Sequence, residues 1–216
     1  MRSGATRLQI SLSRTRSIFK LVCKPLHRIY RCVLACEHAQ KEPVLSLAEA
    51  EFFRLRWSSR ILDETEAAIT EILSGKGFAD AAARAERARA SMEAAFEDAM
   101  VTDFDNFLPV AANLPDPNDR HVVAAAAKAQ AAMIVTDNLK DFPAAVLSDL
   151  NMEAKSADAF IADTIALDEA RAVAAIRRMR ERFKKPEMTP AELLLVMEAA
   201  GLIETVDMLR SHVESL

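Results

Sequence analysis

The chain has 216 residues, 51% apolar and 28% charged, the profile of one ordinary globular domain with room for a small appendage. Its net charge of −4 hides a split: the first 36 residues hold eight Lys or Arg, no acid and all three cysteines, which leaves 20 basic against 32 acidic residues in the rest, a balance of −12. No apolar run reaches the roughly 20 residues of a membrane-spanning helix, three crowded cysteines form no disulfide framework and point to a reducing, cytoplasmic setting, and four glycines argue against Gly-rich phosphate loops and turn-dense all-β folds.

Residues 1–43 form an atypical basic leader with no clean period. It is Ser- and Arg-rich like an organellar transit peptide. It offers zinc-like ligand types in Cys23, His27, Cys32, Cys36 and His38, at a spacing that matches no common finger. Its cations would also draw phosphate as a basic arm, and the three readings stay open at this point. From Val44 the chain turns to helix formers, with helical spacing in Val44, Leu45, Leu47, Ala48, Phe52 and Phe53. Trp57-Ser58-Ser59 offers an N-cap for a helix through Leu73, which Gly75-Lys76-Gly77 closes. Residues 78–99 read as a long Ala-, Arg- and Glu-rich helix.

Val101-Thr102-Asp103-Phe104 reads as a short strand, followed by a loop with Pro109, Pro115 and Pro117. Asp119 is placed to cap a helix over 120–130. Residues 132–136 are β-prone, 143–150 helical, and a minor strand falls near Met152-Glu153-Ala154. This alternation predicts an α/β domain with a short parallel sheet. Beyond Ser156 the pattern is helical only. An amphipathic helix spans 168–185, Thr189-Pro190-Ala191-Glu192 is a capping box opening the next, and a last helix follows Gly201. The predicted divisions are the leader (1–43), the α/β domain (44–156) and a helical extension (157–216).

Acids stand where α/β folds place ligands, at loops after parallel strands and before helices. Asp116 and Asp119 lie in Leu114-Pro115-Asp116-Pro117-Asn118-Asp119-Arg120-His121, and Asp137, Asn138 and Asp141 in Thr136-Asp137-Asn138-Leu139-Lys140-Asp141-Phe142-Pro143. Clustered carboxylates suit hard cations such as Mg²⁺ or Mn²⁺, which lower the pKa of bound water and clamp phosphate oxygens. The plainer alternative is that they are loop and N-cap acids.

These two motifs, with Arg56-Trp57-Ser58-Ser59-Arg60-Ile61-Leu62-Asp63-Glu64 before them, closely resemble the PIN-domain family of metal-dependent ribonucleases, which includes the VapC toxins. Met188-Thr189-Pro190-Ala191-Glu192-Leu193-Leu194 resembles the C-terminal extension of one VapC-like subgroup. The resemblance runs from about Ser46 to the C-terminus and implies a three-layer α/β/α fold. It implies catalytic roles for Glu64, Asp119 and Asp141, and Mg²⁺ or Mn²⁺ held by Glu64, Asp116, Asp119, Asp137 and Asp141. Thr136 and Asn138 would support the site. Arg56, Arg60, Arg120 and Lys140, with Arg54, would track the RNA backbone. Its expected partners are RNA and a small antitoxin, with a homodimer as an option and no membrane. With no motif match, Asp63 and Glu66 are read as solvated helix acids. His121 is read as a packed or loop-anchoring histidine rather than a general base. Apolar Leu193-Leu194-Leu195-Val196-Met197 would pack on the domain or receive a partner.

One acid of the family pattern is absent. Counting back from Leu47 places the first-strand Asp at Arg31, and no Asp precedes Asp63; Glu37, the one acid near, falls several residues too late. Ile29-Tyr30-Arg31-Cys32-Val33 can be written ATT-TAT-CGA-TGC-GTG, and read one base later, with the C of the Leu34 codon, this gives Phe-Ile-Asp-Ala-Cys, with the Asp straddling Arg31 and Cys32. An out-of-frame leader is therefore one expectation, and the gene sequence upstream of Leu47 decides it. The alternative function is a catalytically degenerate PIN-like module that binds RNA or protein without cutting.

Overall fold

The computed structural model describes residues 19–23, 30–35, 38–184 and 187–216, with side chains from residue 42 onward. The zinc-like set, the leader's basic side chains and Glu37 fall outside the described residues or side chains. The sheet contains β1 (Phe19–Cys23), β2 (Tyr30–Ala35), β3 (Phe53–Leu55), β4 (Met133–Val135) and β5 (Glu153–Lys155). β2 runs parallel to β3, with Cys32 opposite Leu55, and parallel to β4, with Cys32 opposite Met133 and Val33 opposite Ile134. β5 extends the parallel set beyond β4. β1 is antiparallel to both β2 and β4, an addition from the segment that the sequence left without a period. β4 is buried along its whole length, as an inner strand covered on both faces must be.

Parallel neighbours need crossovers, and helices supply them. α1 (His38–Glu49) joins β2 to β3. It begins within the leader and carries Pro43 inside it, so the helical reading from Val44 starts too late. It also ends too early for Phe52 and Phe53 to belong to it. Glu51 turns left-handed at φ 57°, its N–H donates to Ala48 O at 2.9 Å, and Phe52 N–H donates to Leu47 O. Phe53–Leu55 then forms the edge strand β3, which helical spacing had absorbed. Glu51 holds a conformation that glycine adopts without strain. Glu51→Gly should therefore stabilise the protein by about 0.5–1 kcal/mol, after allowing for the freer unfolded chain; urea unfolding reads this, and a loss of stability contradicts it.

α2 (Ser59–Gly75) and α3 (Ala81–Ala95) form a hairpin beyond β3. Arg89 of α3 binds Asp63 at 2.6 Å and Glu66 at 3.0 Å on α2, and Glu93 at 3.3 Å. Burial works against the Arg89 charge, and these carboxylates outweigh it, holding the guanidinium above its ordinary pKa. Asp63 and Glu66 are thus the clasp of the hairpin rather than merely solvated acids. The expected strand at 101–104 does not form. Met100 makes one isolated bridge to Trp57, and Asp103 at φ 54° breaks the extended run.

α4 (Arg120–Ala129) leads into β4, and α5 (Ala144–Leu147) connects β4 to β5. The extension comprises α6 (Ala157–Leu167), α7 (Glu169–Arg182), α8 (Pro190–Ala199) and α9 (Ile203–Arg210). The predicted capping box opens α8, with Thr189 Oγ accepting from Glu192 N–H and Glu192 Oε2 accepting from Thr189 N–H. Asp158 on α6 accepts from the backbone N–H groups of Glu204 and Thr205 and so seats α9. Ile161, Ile176, Met197 and Val206 of these helices join Val44 and Leu47 of α1 in one apolar cluster. The extension shares the core of the sheet domain. Leu193 and Met197 are buried in it while Leu195 and Val196 face out, so packing on the domain accounts for part of the apolar tail.

Candidate active site

Local sequence fixes the first acid. Ser58 is buried at the N-cap of α2, where its hydroxyl accepts from Ile61 N–H at 3.3 Å. Ile61, Leu62, Thr65 and Ile69 then turn inward, and Asp63 and Glu66 face Arg89. Glu64 lies between these faces with its side chain 28% exposed, and its Oε1 is 2.9 Å from His121 Nε2. A carboxylate only accepts, so Nε2 carries the proton and donates.

The second acid comes from the head of α4. Asp116 Oδ1 accepts from Asn118 N–H at 2.9 Å, and a 3-10 turn over Pro117–Asp119 follows. Asp119 sits at the N-cap position, but its carboxylate makes no capping hydrogen bond and the residue is only 3% exposed. The expectation that Asp119 caps α4 is therefore corrected. Val122, Val123, Ala124, Ala125 and Ala126 are all fully buried and anchor this helix, so the residues of its first turn are held firmly.

The third group follows β4. Thr136 is buried; its N–H donates to Lys155 O at 2.8 Å and its hydroxyl accepts from Asn138 N–H at 3.1 Å. Asn138 Nδ2 donates to Asp141 Oδ2. Asp137 Oδ1 accepts from Ala157 N–H at 3.3 Å, placing a carboxylate at the positive end of α6.

The structure thus joins the Glu64 and Asp119 motifs through His121, while Asp137 is bonded to the start of α6 and Asp141 to Asn138 of its own loop. Among the described residues no three acidic, histidine or cysteine side chains converge to hold a metal ion. The donors have the chemistry a hard cation requires, but as described they do not make up its donor set. β2 runs where the family's first-strand Asp is expected, and Arg31 and Cys32 occupy it. The four expected RNA contacts also divide. Arg56 donates to Leu55 O and Asp98 O, and Arg120 donates to Ala112 O. Arg60 and Lys140 are exposed and form no ion pair among the described residues. The Glu64–His121 contact spans 57 positions. Only the shared approach of two motif segments pointed to it, and sequence reasoning missed it.

Comparison with known proteins gives two family matches and one relative. The profile of the PIN domain matches residues 31–140, and that of the VapC50 C-terminal domain matches residues 157–211. A protein of Mycobacterium tuberculosis (strain ATCC 25618 / H37Rv) named "Putative ribonuclease VapC50" is 41% identical over 76 residues, which cover 35% of this chain and 45% of that protein. The chain therefore aligns with less than half the length of that relative. No solved structure matches the chain.

Proposed function

The chain belongs to the PIN-domain family, and from that membership we propose that it is a VapC-like endoribonuclease acting on RNA phosphodiesters. The observation that carries this reading is the Glu64–His121 bond, which brings the second acidic motif to the helix headed by a buried, non-capping Asp119. Glu64 and Asp119 are the central acids of the reading, and Asp116, Asp137 and Asp141 support it. Thr136 and Asn138 order the loop after β4. Arg60 stands one helical turn before Glu64 on the same face of α2, where an exposed cation meets a phosphate without displacing a partner. Lys140 is equally accessible.

Dependence on Mg²⁺ or Mn²⁺, a small antitoxin partner, a homodimer and a cytoplasmic setting belong to the same proposal. Cleavage of a structured RNA should require added Mg²⁺ or Mn²⁺, stop on chelation and return when the ion is restored. Cleavage indifferent to chelation refutes cation dependence. A second reading, a degenerate module that binds without cutting, is favoured by Arg31 and Cys32 in β2 and by the incomplete donor set. Tight RNA retention with intact RNA recovered under every ion condition identifies that reading.

A further inference from the structure

We propose that His121 is a positioning residue for the Glu64 carboxylate, an assignment that rests on the nuclease reading and gives its site a specific working part. The imidazole side chain is wholly buried, which keeps it from exchanging protons with a substrate in solution. Its Nε2–H donates to Glu64 Oε1 at 2.9 Å. That is the one side-chain hydrogen bond of Glu64 among the described residues. A glutamate left to itself samples many rotamers, and fixing one of them costs side-chain entropy. His121 holds one carboxylate oxygen in a side chain that stays partly open to solvent.

The donor is itself rigid. His121 lies in the first turn of α4, two positions after Asp119, on a helix whose next five residues are fully buried. Glu64 and Asp119 therefore take their relative placement from one packed helix. A histidine suits this task, because its ring N–H donates along one fixed direction set by the packed helix, whereas the long Arg or Lys side chain would bring a permanent charge on a flexible stem. The effect is on geometry at the reacting centre, where small displacements of a charged group are costly.

The test uses the full chain, one RNA substrate and the variants His121→Gln, His121→Asn and His121→Ala. The Gln side-chain amide reaches the place of imidazole Nε2, and the shorter Asn amide does not. Asn and Ala should lower kcat by about 10–100-fold with KM within about twofold, and Gln should recover much of the loss. Combining His121→Ala with Glu64→Gln should add little to Glu64→Gln alone, as expected of groups that act as a unit. Imidazole ¹⁵N NMR gives a readout independent of turnover: the Nε2–H signal of His121 should be present in the parent chain and move in Glu64→Gln. Equal activity across the variants, a change in KM alone, failure of Gln to exceed Asn, or an unmoved signal overturns the assignment. A parent chain that cuts no RNA under any ion condition instead overturns the nuclease reading and the assignment with it.

Discussion

Asp119→Asn should lower RNA cleavage by about 10²-fold or more while leaving the melting temperature unchanged or raised by a few degrees. The two halves of this expectation have one source. Asp119 is 3% exposed at the head of α4 and does not satisfy the helix terminus. Burial of a charge carries a desolvation cost, and Asp119 does not cap the helix, so loss of the charge alone should leave the fold intact. Asn retains the shape and removes the charge. A purely structural acid gives the opposite pattern, with stability falling and cleavage following only as the protein unfolds. Parallel measurement of cleavage and thermal unfolding separates the two, and Asp119→Asn with full cleavage refutes the role given to this residue.

The largest loss of stability should come from Trp57→Ala, about 3–5 kcal/mol, or roughly 6–20 °C in melting temperature for a chain of this size. Trp57 is 1% exposed and meets the edge of Phe96 at 5.9 Å with an interplanar angle of 89°. Its backbone N–H donates to Ala99 O at 2.9 Å, and its carbonyl accepts from Val101 N–H at 2.7 Å. Trp57 thus ties β3 to the segment after α3, and Ser58, its neighbour, starts α2. Emptying this position removes the support from which Glu64 is presented. Urea unfolding checks the magnitude, and a loss below about 1 kcal/mol shows that the neighbours collapse into the space.

Particular residues explain what could be read in advance. β4 was legible because Met133, Ile134 and Val135 are a short apolar run buried throughout. α8 was legible because Thr189, Pro190 and Glu192 spell its start. β3 was hidden because its three residues follow a helix that ends at Glu49 and turns away at Glu51, where no glycine announces the stop. Val101 misled because it is buried and its N–H donates to Trp57 O as in a strand, while Asp103 two residues on turns left-handed. In the site, Asp119 has the residue type and place of a helix cap, and only its burial without a capping bond distinguishes it. His121 joins Glu64 through tertiary packing, which no local pattern encodes.

The core shared between α1 and the C-terminal helices also has a temporal meaning. α1 lies near the start of the described chain, and the residues that cover it, such as Ile161 and Ile176, come more than a hundred positions later. During synthesis the ribosome therefore exposes Val44 and Leu47 well before their cover exists. The intervening segment, with Glu64, Asp119 and Asp137, must wait for the last helices before its framework closes. A PIN domain assembled in this order completes its apolar core only when translation of the extension is nearly done.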